Sequence, residues 1–97
     1  MYLEDVMKAL AHPARMEMLI WLKEPKEYFG IPKEEAGDGI SAGQFERSGL
    51  SQSAVSAHLA TLQRAGLISS KRVGQRVLYR REEGTIAEFI KTLNGML

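Results

Sequence analysis

Between Ser51 and Ile68 the chain reads Ser-Gln-Ser-Ala-Val-Ser-Ala-His-Leu-Ala-Thr-Leu-Gln-Arg-Ala-Gly-Leu-Ile, and a basic, β-rich run follows without a break. No other stretch constrains the fold as tightly. Ser51 suits a helix start, because its hydroxyl can accept one of the free N–H groups of the first turn. Val55, Leu59 and Leu62 recur at i, i+4 and i+7 and mark one buried stripe. Gly66 is placed as a terminator, since glycine readily takes the left-handed conformation that ends a helix. The spacing predicts a helix over about 52–65. Its opposite face carries Gln52, Ser53, Ser56, Ala57, Ala60, Gln63 and Arg64, all small or polar and none acidic. Leu67–Val73 and Val77–Arg81 flank Gly74-Gln75-Arg76, which reads as a hairpin with one face packed and the other wet.

Charge bears on the same segment. The chain holds 13 Lys and Arg against 12 Asp and Glu, unevenly spread. Met1–Glu46 has five basic and nine acidic residues, and Glu82–Leu97 has one lysine and three glutamates. Arg47–Arg81 has seven cations (Arg47, Arg64, Lys71, Arg72, Arg76, Arg80, Arg81) and no acid. A cationic block in an otherwise acidic chain is the footprint of a polyanion-binding face. A solvated basic surface has the same composition; coincidence with the helix and hairpin favours the first reading.

Ninety-seven residues make one domain, spanning 1–97. A chain this short buries a limited core alone, so pairing through apolar terminal helices is expected. No run of 18 apolar residues exists, and Met-Tyr-Leu-Glu-Asp is acidic where a signal peptide needs basic residues; a cytoplasmic protein without membrane association is expected. The absence of cysteine removes disulfides and thiolate metal ligands together. There is no glycine-rich phosphate loop and no nucleophile–base pair, so neither an enzyme nor a cofactor is expected.

Leu3, Val6, Met7 and Leu10 sit at i, i+3, i+4 and i+7 and predict a first helix ending near His12-Pro13. Pro13 suits the first turn of a second helix to Lys23, with Met16, Leu19, Ile20 and Trp21 or Leu22 facing inward. Residues 24–39 read as a long irregular connection in which Tyr28, Phe29 and Ile31 pack down in part; it is either a ligand or partner loop or a local ornament. Ser41-Ala-Gly-Gln44 matches a capping box opening a short helix to Ser48, with Phe45 as its anchor and Ile40 as a minimal strand before it. Ile86, Phe89, Ile90 and Leu93 mark a last amphipathic helix over about 85–97. The expected architecture is mainly α with a small β-hairpin (α+β), in the order α-α-α-α-β-β-α.

Three strings carry a resemblance: Leu10-Ala-His-Pro-Ala-Arg15, Leu50-Ser-Gln-Ser-Ala-Val-Ser-Ala-His-Leu59 and Leu62-Gln-Arg-Ala-Gly-Leu-Ile68. In this order and spacing the chain resembles the ArsR family of bacterial winged helix-turn-helix repressors, over most of its length except 24–39. The resemblance implies a homodimer built from the first and last helices, an inverted-repeat operator in double-stranded DNA, and repression relieved by a signal. Metal-sensing members use a cysteine motif before the turn, or His and carboxylates in the last helix. Here the first region reads Ile40-Ser-Ala-Gly-Gln-Phe45, and the last helix offers only Glu88, after Glu82 and Glu83. No soft-metal site can be built from these groups, so a member without metal sensing and with an unknown effector is expected. A winged-helix protein-interaction module is the alternative function; modules of that kind often lose the basic wing that this chain keeps.

Gln52, Ser53 and Ser56 are the candidate base readers, because the N-terminal part of a recognition helix meets base edges. Ala57 can touch a thymine methyl, and Ser53 can equally reflect helix-start preference. Ser51 reads first as a cap and second as a phosphate contact. Lys71, Arg72, Gln75 and Arg76 belong to the wing, with phosphate contacts expected and Arg76 a candidate for a minor groove. Arg47 and Arg64 are expected on backbone phosphates. Arg80 or Arg81 can pair with Glu82 or Glu83 instead, and Arg15 can be structural. His58 is a base contact or pH switch on one reading, and a packing histidine hydrogen-bonded within the domain on the other; His12 reads as a helix-start residue. Tyr2, Leu3, Val6, Phe89, Ile90 and Leu93 are the candidate dimer interface, with ordinary intrachain core as their other possible role.

Overall fold

The computed structural model describes residues 1–97. Helix α1 spans Leu3–Leu10 and α2 spans Pro13–Lys23. Extended His12 separates them, and its Nδ1 accepts the Ala14 N–H at 3.1 Å, a capping bond for α2. Arg15 closes the corner from the other side: its Nε donates to the Ala9 carbonyl at 2.7 Å. That bond satisfies one of the orphan carbonyls at the end of α1, which settles Arg15 in a structural role.

The inward face of α2 differs from expectation. Met18 and Leu19 are buried, whereas Met16 and Ile20 remain substantially exposed. Six of the seven residues from Met16 to Leu22 are apolar, so periodicity alone cannot choose the buried side. The choice is made by α1, α5 and β3, which pack on α2. Segment 24–39 is also more ordered than an irregular connection. Pro25–Phe29 forms a short helix, α3. Phe29 is buried edge-on against Phe45, with ring centroids 5.2 Å apart, and Ile31 packs against the core, while Tyr28 stays exposed.

Strand β1 is the two residues Ile40–Ser41, followed by α4 (Ala42–Phe45), a 3-10 turn (Glu46–Ser48) and α5 (Gln52–Arg64). The capping box at Ser41 does not form: no side-chain bond caps α4. Ser41 is held in β1 opposite Leu78, and the Gln44 side-chain oxygen instead accepts from Arg47. Strands β2 (Ile68–Val73) and β3 (Arg76–Arg81) make the hairpin, in a three-stranded antiparallel sheet of order β1-β3-β2. Val73 pairs with Arg76, so the turn is only Gly74-Gln75. Gly74 at φ 64 followed by a residue at negative φ matches the type II′ turn that fits strand twist. Helix α6 spans Glu83–Met96.

The core gathers Val6, Met18, Leu19, Phe45, Val55, Leu59, Leu62, Leu67 and Ile68 from both halves of the chain. Val6 is 0% exposed within one chain. It belongs to the intrachain core, and its place in the candidate dimer interface is withdrawn. The first turn of α1 carries Val6 into the core, while Tyr2 before the helix and Leu3, Met7 and Leu10 within it keep apolar surface.

Candidate nucleic-acid interface

Helix α5 is fixed at both ends by local bonds the sequence encodes. Ser51 Oγ accepts the Ala54 N–H at 3.2 Å, as an N-cap does. At the other end Gly66 has φ 80, its N–H donates to Gln63 O at 3.0 Å, and the Leu67 N–H donates to Leu62 O at 3.1 Å. This is the paired Schellman arrangement, and buried Leu67 is its hydrophobic contact. Val55, Leu59 and Leu62 then pin one side of the helix to the core. Gln52, Ser53, Ser56, Ala57, Ala60, Gln63 and Arg64 are all exposed on the other. Ser53 Oγ lies 3.3 Å from Ser51 Oγ. The structure thus presents a convex helical face without acids, small enough for close approach to a groove.

The hairpin packs beside that helix through buried Leu67 and Ile68, and one bond links their exposed faces: Gln63 Nε2 donates to Ser70 Oγ at 3.1 Å. Sequence reasoning missed Ser70. Its only signal is the strand register, which aligns Ser70 with Tyr79 and turns it toward α5. At the tip, Gln75 and Arg76 are exposed and make no internal side-chain bond, and Arg72 Nε donates to Gly74 O at 3.3 Å. Lys71 Nζ sits 3.2 Å from Asp38 Oδ1, both exposed. Such a surface pair is worth little in water, so the ammonium remains exchangeable. Asp38 itself was not singled out from sequence; a contact spanning 33 residues has no local signature.

The other cations divide by the bonds they make. Arg64 Nη2 donates to Thr61 Oγ1 at 3.3 Å and stays exposed. Arg47 Nη1 donates to Phe29 O and to Gln44 Oε1, each at 3.1 Å, which orients its guanidinium. Arg80 Nε is 4.0 Å from Glu82, whose carboxylate also receives the Ser69 hydroxyl. Arg81 is nearly enclosed. Its Nε and Nη2 donate to Glu83 at 2.8 and 3.1 Å, and its Nη1 donates to Leu19 O at 2.9 Å. It therefore bolts β3 to α2 and α6, and the Arg81 hydrogen bond holds the Glu83 carboxyl below its ordinary range.

The two histidines meet: the rings of His12 and His58 lie 4.5 Å apart at 57°. His58 Nδ1 is buried without a hydrogen-bond partner. The expectation of a packing histidine holds for the ring but not for this nitrogen, and the neighbouring His12 has given its own Nδ1 acceptor to Ala14. Burial, then His12, then Arg15 push the His58 pKa down, so the neutral ring is favoured. No three His, Asp or Glu side chains come together as a metal-binding group, and no helix is long and apolar enough to cross a membrane.

Comparison with known proteins converges on this geometry. Residues 46–70, the turn and all of α5 with the start of the hairpin, match the model of the bacterial regulatory protein, arsR family. The uncharacterized HTH-type transcriptional regulator YbzH of Bacillus subtilis (strain 168) is 38% identical over 95 residues, covering 91% of this chain and 94% of that protein. The HTH-type transcriptional regulator YgaV of Escherichia coli (strain K12) is 38% identical over 92 residues, covering 94% of this chain and 81% of that one. Among solved structures, an ArsR-like transcriptional regulator from Rhodococcus sp. RHA1 superposes with a TM-score of 0.74 at 26% identity, covering 97% of this chain and 77% of that one.

Proposed function

The chain belongs to the arsR family of bacterial regulatory proteins, and on that premise we propose that it is a homodimeric transcriptional repressor, not a soft-metal sensor, acting in the cytoplasm on an inverted-repeat operator. One observation carries the reading: the exposed face of α5 and the exposed hairpin beside it contain no acid, while the rest of the chain is acidic. In this reading Gln52, Ser53 and Ser56 meet base edges and Ala57 meets a thymine methyl. Arg64, Lys71, Arg72, Gln75 and Arg76 hold backbone phosphates, as does Arg47 through the N–H groups its internal bonds leave free. Ser51 contributes as the cap of a helix whose N-terminus faces the DNA.

Unmet apolar surface supports the dimer. Helix α6 is amphipathic, yet none of its 14 residues is fully buried; Ile90 is 60% exposed and Tyr2 is 81% exposed. Met16 and Ile20 of α2 line a shallow apolar groove with Phe89 and Ile90. A helix with an apolar stripe needs cover, and a second copy supplies it through Tyr2, Leu3, Phe89, Ile90 and Leu93 with Met16 and Ile20. A two-fold pair would set its recognition helices roughly 34 Å apart, one turn of duplex.

Salt dependence tests the DNA reading. Affinity for duplex DNA, measured by fluorescence anisotropy, should fall by roughly 10³-fold or more between 50 and 200 mM salt if several phosphates are neutralised. A nearly flat response would point to a protein partner for this surface.

A further inference from the structure

Trp21, Tyr28 and Phe29 wall a cleft of about 320 Å³ whose other side is Gln44, Arg47 and Ser48. We propose that this cleft binds a planar aromatic carboxylate, its ring against Trp21 and Tyr28 and its carboxylate on Arg47 and Gln44. Helices α2 and α3 supply its aromatic side, and α4 with the 3-10 turn supplies its polar side.

The walls ask for a ring. Trp21 and Tyr28 have centroids 6.4 Å apart and planes 41° apart, too splayed to stack closely on each other. Tyr28 is 44% exposed although the next residue, Phe29, is buried. A flat guest can cover both aromatic faces in the offset or edge-on contacts such rings favour. The volume is at the small end of ligand pockets, which suits one or two fused rings.

The polar side asks for an anion. Arg47 Nη1 is occupied by Phe29 O and Gln44 Oε1. Those bonds preset the guanidinium and leave Nε and Nη2 without a protein acceptor. Once Gln44 Oε1 is taken, its Nε2 is the group it offers, and that is a donor. No carboxylate lines the cleft or pairs with Arg47. Oriented donors with a full positive charge match a carboxylate, which arginine can hold with two N–H groups. A neutral ring would leave that charge unmet, and a small inorganic anion would leave the aromatic walls uncovered.

Arg47 ties the cleft to regulation. The N–H groups offered to the guest are those that the proposed DNA contact gives to a phosphate, and Arg47 lies four residues before the Ser51 cap of α5. A bound carboxylate therefore competes with the operator and weakens DNA binding; by linkage, DNA weakens binding of the guest. This consequence rests on the DNA-binding reading, whereas the site itself does not.

The test is titration of the 97-residue chain, without DNA, by benzoate and 2-naphthoate, followed by amide NMR. Trp21 is the only tryptophan, so its indole N–H is a single resonance inside the site. Saturable shifts of that resonance and of Gln44 and Arg47 are expected, with benzyl alcohol and acetate each binding at least about tenfold more weakly. Tyr28→Ala, at an exposed position, should weaken 2-naphthoate roughly five- to tenfold with an otherwise unchanged spectrum. Non-saturating shifts, equal binding of acetate, or an unaffected Tyr28→Ala variant would overturn the proposal. A second titration with DNA present separates the readings: saturable binding with no loss of DNA affinity keeps the site and removes the competition.

Discussion

A Cβ added at Gly39 would lie 2.6 Å from the carbonyl oxygen of Tyr79, 2.8 Å from its carbonyl carbon and 3.0 Å from its nitrogen. All three atoms are backbone of β3, held in register by β1 on one side and β2 on the other, so none can turn away as a side chain would. Gly39 also has φ 119, outside the range L-residues tolerate well. Strain at such a position costs about 1–3 kcal/mol. Forcing a methyl into a packed interior costs roughly another 1–3 kcal/mol, so Gly39→Ala should lose about 2–6 kcal/mol in total. Gly74 separates the two effects. It has φ 64 and nothing within 4 Å of its added Cβ, so Gly74→Ala should cost only the backbone strain of its positive φ, about 1–3 kcal/mol. Urea denaturation of both variants is the assay, at one fixed protomer concentration because pairing would couple stability to concentration. If Gly39→Ala costs no more than Gly74→Ala, the close approach of residue 39 to β3 is not what holds β1 in the sheet, and the reasoning fails.

Arg76→Ala should weaken binding to every duplex about equally and lower the salt slope by roughly one unit, as anisotropy across several salt concentrations would show; a loss confined to one base position would make it a reader. Gln52→Ala should relax preference at one operator position by about 1–3 kcal/mol, which competition with single-base variants of the operator checks; unchanged preference would remove Gln52 from the reading set. Protonation links His58 to stability. Its folded pKa lies below the ordinary value near 6.5, so the unfolded chain takes up the proton first. The His58 contribution is fully present above about pH 6.5 and is lost as pH falls toward the folded value. The charged groups facing it are His12 and Arg15. Denaturation at about pH 7.5 and 5.5 should show His58→Gln losing less stability on acidification than the parent chain; equal losses would remove His58 from the pH dependence.

What the sequence made legible was local. Ser51, the Val55–Leu59–Leu62 stripe and Gly66 carry the start, face and end of α5 within one short window, and the structure keeps each. The hairpin was equally plain, apart from Leu67, which precedes the first strand, and Arg76, which joins the second. What was hidden depends on partners far along the chain. Arg81 reaches Leu19 O across 62 positions, so nothing near Arg81 separates it from the basic residues of the wing. In α2, Met18 displaces Met16 and Ile20 from the interior because neighbouring helices choose the face of an almost wholly apolar segment. Helix α3 escaped notice because five residues are too few for a period, and Gly39 because its need arises only when β3 passes beside it. The two-sided character of the cleft at Tyr28 and Arg47 could not be read at all, since the residues that make it come from four separate elements.

The central claim is that α5 and its wing read a two-fold DNA site. Selection of bound sequences from random duplex DNA at near-physiological salt tests it most directly. The account predicts enrichment of an inverted repeat whose half-sites lie about one helical turn apart. A folded protein that enriches no sequence, or only a single unrepeated half-site, would contradict it.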